Sequence, residues 1–345
     1  MDPLIEAVNN QDLAALQRAL QPQPKLARAV LTAAGQAWLP GLELLHQHGA
    51  PLNDLYRGYR PLHALLQEDA HQPITPPTPQ RLACLHWLLD HGADPELPAA
   101  WPPARALLIA AFVGANEYVE ALQKHGAQQN AFTAAALGDR RKIEKTLQAN
   151  PVFATDRDQG GLTGLQCAAA SRLPHPYKTA IAQLLLDAGA NIHAPTKSWS
   201  HDIDALYLSA NSRNLDVFEL FLQRGANPTQ ALTCALWNAT ESFAELAVRR
   251  GAQPDQAVAD NQPLLNNLIR WGRFSQAQWL LNHGASPNLP DQRGWTALHQ
   301  AASRGNANMI RALRQAGADA TRKNNLNETP RDLARADKIA DLLKP

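Results

Sequence analysis

Twelve histidines and three cysteines are the residues of this 345-residue chain best equipped for chemistry. Neither set gathers into a recognisable ligand or nucleophile pattern. His201, Asp202 and Asp204, with His193 nearby, come closest to a metal cluster, but they lack the tight spacing of zinc sites and fit a polar hairpin tip. No metal and no cofactor is therefore expected. The chain has no Gly-x-Ser-x-Gly, no His-Glu-x-x-His and no phosphate loop. Gly160, Gly161 and Gly164 match a glycine-rich loop only loosely and read better as a turn. Cys167 and Cys234 sit among small residues at helical spacing, where cysteine acts as a small hydrophobe. The acid pairs Asp156/Asp158 and Glu241/Glu245 read as solvated faces. No catalytic residue emerges, which favours a role other than catalysis.

Composition narrows the class further. Lys and Arg number 32 against 31 Asp and Glu, so no global field draws nucleic acid or an anionic membrane. The basic run Arg140, Arg141, Lys142 and Lys145 is balanced by Asp139 and Glu144. Neither nucleic acid nor membrane is an expected partner. An odd, scattered set of cysteines argues against a disulfide framework. With no basic leader at Met1–Glu6 and no apolar run of about 18 residues, the expected location is the cytoplasm.

The elements that would carry these residues repeat. Gly251, Gly284 and Gly317 are spaced by 33 residues, and each is followed by Ala and preceded by an amphipathic helical stretch. The same Gly-Ala ending occurs at Gly49, Gly92, Gly126, Gly189 and Gly225, where glycine supplies a left-handed cap. Between Gly126 and Gly189 a further unit fits, with Asn150 expected in the left-handed position. A second glycine, twelve residues earlier, turns the first helix into the second at Gly114, Gly138, Gly272 and Gly305. Arg213 and Ala239 hold that slot elsewhere and leave those two turns open.

The stretch Gly294-Trp295-Thr296-Ala297-Leu298-His299, continuing to Gly305 and Gly317-Ala318-Asp319, closely resembles the ankyrin repeat. The resemblance covers nearly the whole chain. It implies an all-α ankyrin-repeat solenoid forming one domain over 1–345, with nine central helix-turn-helix units between caps at 1–25 and 327–345. The short connections into the units near 131 and 229 predict missing hairpins there. A proline-rich stretch from His71 to Pro79 reads as a loop inserted within one unit. His48, His91, His125 and His283 precede capping glycines, where an imidazole can bond free helix carbonyls. His63 and His299 fill the family's His slot, which implies a hydrogen bond to a neighbouring turn.

In this family the hairpin tips and the first helices line a concave surface that binds proteins. Aligning the units places Trp237 and Asn238, then Arg270 and Trp271, then Ser303 and Arg304, at the end of successive first helices. Asn211 falls there one unit earlier. Trp295 and Tyr59 sit at hairpin tips, and Trp199 on a lengthened hairpin. Trp and Arg dominate binding energy at interfaces, so Trp199, Asn211, Trp237, Asn238, Arg270, Trp271, Trp295 and Arg304 form the expected partner-binding set. Trp199 and Trp295 are expected to be exposed, and Trp87 and Trp279, on second helices, to fill gaps. The resemblance thus implies a monomeric protein-interaction module. A small-ligand receptor or enzyme built into the groove, and a toxin-neutralising or host-directed effector, are the alternative readings.

Overall fold

A computed structural model describes residues 2–20, 26–67, 76–100, 103–197, 202–258 and 261–344. The chain forms two compact units, residues 1–226 and 227–345. Trp199 and His201 lie outside the described residues, as does most of the proline-rich insertion.

Helices come in pairs because short apolar stretches are punctuated by positive-φ turns. In the first unit the pairs are α1 (Pro3–Asn9) with α2 (Leu13–Ala19), α3 (Leu26–Gly35) with α4 (Leu39–Gln47), and α5 (Pro61–Leu66) with α6 (Pro79–Asp90). They continue as α7 (Ala106–Val113) with α8 (Asn116–Lys124), and α9 (Ala131–Leu137) with α10 (Arg140–Ala149). The last two are α11 (Gly164–Ala170) with α12 (Lys178–Asp187), and α13 (Ala205–Asn211) with α14 (Leu215–Gln223). The second unit holds α15 (Pro228–Asn238) with α16 (Glu241–Arg249), α17 (Leu264–Arg270) with α18 (Phe274–Asn282), α19 (Ala297–Ser303) with α20 (Ala307–Gln315), and the short α21 (Asp337–Asp341).

First helices stack on first helices and second on second: α3 packs on α5, α5 on α7, α9 on α11, α17 on α19, and likewise α4 on α6 and α18 on α20. Several first helices, such as α7, α9 and α11, are rich in alanine, which lets them approach closely, and every residue of α11 is buried. Second helices are amphipathic; α10 buries only Ile143. No pair could bury its apolar face alone, so stability passes between neighbours. The described residues thus contain nine central pairs between α1/α2 and the C-terminal segment, the architecture of an all-α ankyrin-repeat solenoid.

The closing glycines all hold the left-handed conformation, with φ between 82° and 99°. Asn150 does not. Its φ is −144°, and a 3-10 turn over Pro151–Ala154 follows. The reason is the next residue: a proline ring pushes the residue before it into extended backbone. Of the two open turns, Arg213 takes the left-handed conformation (φ 58°), whereas Ala239 is extended (φ −120°).

Hairpins project between units. Strand β1 (Thr196–Lys197) pairs with β2 (Asp202–Ile203), and β3 (Ala257–Val258) with β4 (Gln262–Pro263). Single bridges join Tyr56 to Tyr59 and Arg157 to Thr163. At the two short connections a helix begins at once. Asn130 caps α9 by accepting from the Thr133 N–H, and Asn227 caps α15 by accepting from that of Thr229. The ends are polar: Asn9, Asn10, Gln17 and Arg18 are exposed at one, Arg331, Arg335 and Lys338 at the other. Among the described residues no helix is long and apolar enough to cross a membrane.

Candidate functional site

Seven of the ten described histidines close helix ends or join neighbouring turns. His48, His91, His125 and His283 each place Nδ1 2.8–2.9 Å from the carbonyl four residues earlier, closing a helix end. Two of those carbonyls belong to Trp87 and Trp279, whose rings stack on His91 and His283 with centroids 4.2 and 3.7 Å apart. Trp279 is buried and Trp87 half-buried, as packing residues of second helices. His63 Nε2 donates to the Ala104 carbonyl at 3.0 Å, and His299 Nε2 to that of Glu328 at 3.2 Å. His193 Nδ1 meets Asp204 Oδ2 at 2.8 Å, while Oδ1 of the same carboxylate caps α13. No group of three metal-ligating side chains occurs among the described residues.

The three cysteines are buried thiols. Burial pushes Cys84 up to about 11 and Cys167 well above its ordinary value, so neither is a nucleophile near neutral pH.

The tryptophans and arginines of the second unit are arranged differently. α15, α17 and α19 end at Asn238, Arg270 and Ser303, at corresponding positions of successive pairs. Each later turn reaches back to the one before. The Arg273 guanidinium lies over the half-buried Trp237 indole, 5.2 Å from its centroid. Arg304 Nη1 donates to the Arg270 carbonyl at 2.6 Å, helping to close α17. A cation–π contact of this kind contributes about 0.5–2 kcal/mol and a charge-assisted hydrogen bond about 1.5–3 kcal/mol.

Trp271 is the residue that caps α17, directly after Arg270. Its side chain is 64% exposed, uncommon for an indole. From Asn261 to Ala318 there are six arginines and one acid, Asp291, whose carboxylate is taken up by Arg293 and by the N–H groups of its own hairpin. Arg270, Arg273 and Arg304 are thus the charged residues of the two turns that follow α17 and α19.

The remaining expected residues fall elsewhere. Asn238 Nδ2 donates to the Cys234 carbonyl of its own helix. Trp295 is half-buried rather than freely exposed, with the Arg293 guanidinium 4.5 Å over its ring. It precedes α19, whereas Trp271 follows α17, so the two indoles mark opposite ends of the first-helix row, roughly 10 Å apart for a helix of seven residues. Asn211 ends α13 in the first unit and is half-buried. The sequence reading missed Arg273, which the Trp237 contact brings into the group. Its signal was the absence of any acid from α17 and α18.

An ankyrin-repeat family model, "Ankyrin repeats (many copies)", matches residues 265–314, which include Trp271. Among curated proteins, the B-cell lymphoma 3 protein homolog of Mus musculus is 28% identical over 194 residues, 53% of this chain and 42% of that protein. A putative ankyrin repeat-containing protein of Treponema pallidum is 32% identical over 114 residues, 31% of this chain and 38% of that one. The mitochondrial disaggregase of Bos taurus is 26% identical over 251 residues, 64% of this chain and 36% of that protein. The chain thus spans well under half the length of these relatives. Among solved structures, the human ASB11 ankyrin repeat domain covers 63% of this chain and 99% of its own at TM-score 0.49 and 22% identity.

The stacked helix pairs define a repeat protein of the helical-hairpin class. The family match over residues 265–314 and the ankyrin-repeat relatives support an ankyrin-repeat protein. Ankyrin repeats are in general modules of protein–protein interaction.

Proposed function

We propose that the chain is a protein-binding module and that residues 237–306 carry its contact surface, gripping an acidic segment of a partner protein. The single observation that carries this reading is Trp271: an indole 64% exposed, with Arg270 and Arg273 on either side of it in sequence and Arg304 on the next turn. An exposed Trp beside arginines is the residue combination that anchors interfaces. Asn238 and the half-buried Trp237 border the anchor. Trp295 would contribute from its hairpin in the same unit. We take 1–345 as one ankyrin-repeat domain, because helix pairs of the same kind continue on both sides of Ala226. The module works as a monomer in the cytoplasm.

The test is capture from a nuclease-treated native lysate, followed by affinity measurements on the retained protein. Trp271→Ala should weaken binding about thirtyfold, the effect of losing about 2 kcal/mol at an anchor. Binding should also weaken with rising salt, as expected of contacts made by arginine side chains. Equal affinity for wild type and Trp271→Ala would refute the site.

A further inference from the structure

Among the described histidines, His125 alone faces an acceptor at both ring nitrogens. It caps α8, with Nδ1 2.8 Å from the Ala121 carbonyl of its own helix and Nε2 3.0 Å from Asp90 Oδ1 at the end of α6. Neither a carbonyl oxygen nor an ionised carboxylate has a proton to give, so both ring nitrogens must donate. The neutral imidazole has a single N–H. The pair therefore holds one proton more than neutral His125 and ionised Asp90 hold apart. His48, His91 and His283, in the same slot before a glycine, are satisfied by one N–H, because only Nδ1 meets a protein acceptor. His193 likewise meets Asp204 through Nδ1 alone.

Further along the first unit the same two slots hold a permanent version of this pair. Arg224 precedes Gly225 as His125 precedes Gly126, and Asp187 lies two residues before Gly189 as Asp90 lies two before Gly92. There Arg224 Nη2 bonds Asp187 Oδ1 and joins α14 to α12. Arginine keeps its charge throughout the accessible pH range, whereas histidine gives its charge up near neutrality.

The charged and titratable groups around His125 are few. α8 packs on α6 and on α7. From α6 come Asp90 and, one turn earlier, His86, whose ring lies 5.3 Å from that of His125. α7 has no titratable side chain, and α8 itself carries Glu117, Glu120 and Lys124. In the connection beyond Gly126, Glu96 accepts from the Gln128 N–H at 2.8 Å and is paired with Arg105 at 2.7 Å.

We propose that His125 and Asp90 form a proton-operated clasp between α6 and α8, closed while the imidazole carries both protons and released when it gives one up. Closed, it ties the C-terminal ends of two successive second helices, in a stack whose stability passes only between neighbours. Loss of the proton leaves an Nε2 lone pair facing a carboxylate, and the two part. The clasp thus holds on the acid side of neutrality and loosens as the pH rises through the imidazole range. That is the reverse of the buried, neutral His63, whose contribution is lost as the pH falls. The clasp lies in the first unit and does not rest on the reading of Trp271.

A double-mutant cycle of Asp90→Asn and His125→Gln tests the proposal, read from urea unfolding of the full chain at pH 5.5 and pH 8.0 at constant ionic strength. The cycle cancels what each substitution does alone, together with the acid sensitivity of the other histidines. The side chains of His125 and Asp90 are 19% and 62% exposed, so the coupling should be that of a partly exposed ion pair. It should change the unfolding equilibrium constant about two- to fivefold at pH 5.5 and vanish at pH 8.0. In the His125→Arg protein, Asp90→Asn should cost the same at both pH values, as should Asp187→Asn in the otherwise unaltered chain. Coupling no greater at pH 5.5 than at pH 8.0 would overturn the proposal.

Discussion

Asn266 donates from Nδ2 to the Trp295 carbonyl at 2.9 Å and to the Leu289 carbonyl at 3.1 Å, tying the middle of α17 to both ends of the next hairpin. It is the third residue of its helix, and so are His299, Gln166 and His63. All four send a side-chain nitrogen to a carbonyl between their own repeat and the next, Gln166 reaching Ala194 at 2.9 Å. One position, filled by three residue types, fastens successive repeats.

Asn266 is 1% exposed, so Asn266→Ala would leave two carbonyls without this donor inside the stack. Each unsatisfied buried group costs about 1–3 kcal/mol, and the variant should lose about 2–3 kcal/mol in denaturant unfolding. A loss below about 0.5 kcal/mol would show that the clamp is dispensable.

Arg304 is exposed, yet its guanidinium closes the C-terminal end of α17. Arg304→Ala should therefore lower stability by about 1–2 kcal/mol even without any partner. Unfolding in the absence of partner checks this, and unchanged stability would leave Arg304 to binding alone.

Burial lowers His63 to about 4 and His175 to about 4, and it lowers His299 as well; Arg60 and Lys178 push His63 and His175 further in the same direction. In an unfolded chain these imidazoles titrate near 6.5. Between those values the unfolded state binds more protons, so stability is complete above about pH 6.5 and is lost as the pH falls towards 4. Denaturant midpoints should fall steadily across that window. His63→Gln, which mimics Gln166 in the same slot, should flatten the fall. A midpoint constant from pH 7 to pH 4.5 would contradict the assignment.

Cys84, Cys167 and Cys234 are all buried. An aromatic disulfide reagent at pH 8 should label the native protein far more slowly than the unfolded chain, which should release three equivalents. Fast labelling of the native protein would mean that the helix pairs open readily.

Much of the fold was legible because glycine carries a conformational message that needs no neighbours. The eight Gly-Ala endings predict left-handed caps, and each glycine adopts one. The imidazoles before four of them are equally local, since each bonds a carbonyl of its own helix. Asn150 was misread because its propensity was weighed without Pro151. The shared slot of Asn266 and His299 was visible in their 33-residue separation, but only to a reader treating Asn and His as the same donor. The burial of Trp279 was legible from its place on a second helix, but the exposure of the first-helix indoles was not. Whether Trp237 or Trp271 stands free depends on which arginine of the following turn reaches back, and Arg273 covers one while Arg304 passes the other to bond a carbonyl.

The most direct measurement is hydroxyl-radical footprinting of the full chain with and without its captured partner, read at each tryptophan. In the free protein Trp271 should oxidise fastest among the described indoles and Trp279, at 6% exposure, slowest or nearly so. With the partner bound, the Trp271 rate should fall at least fivefold while Trp87 and Trp279 hold theirs. A Trp271 rate unmoved at saturating partner would contradict the account.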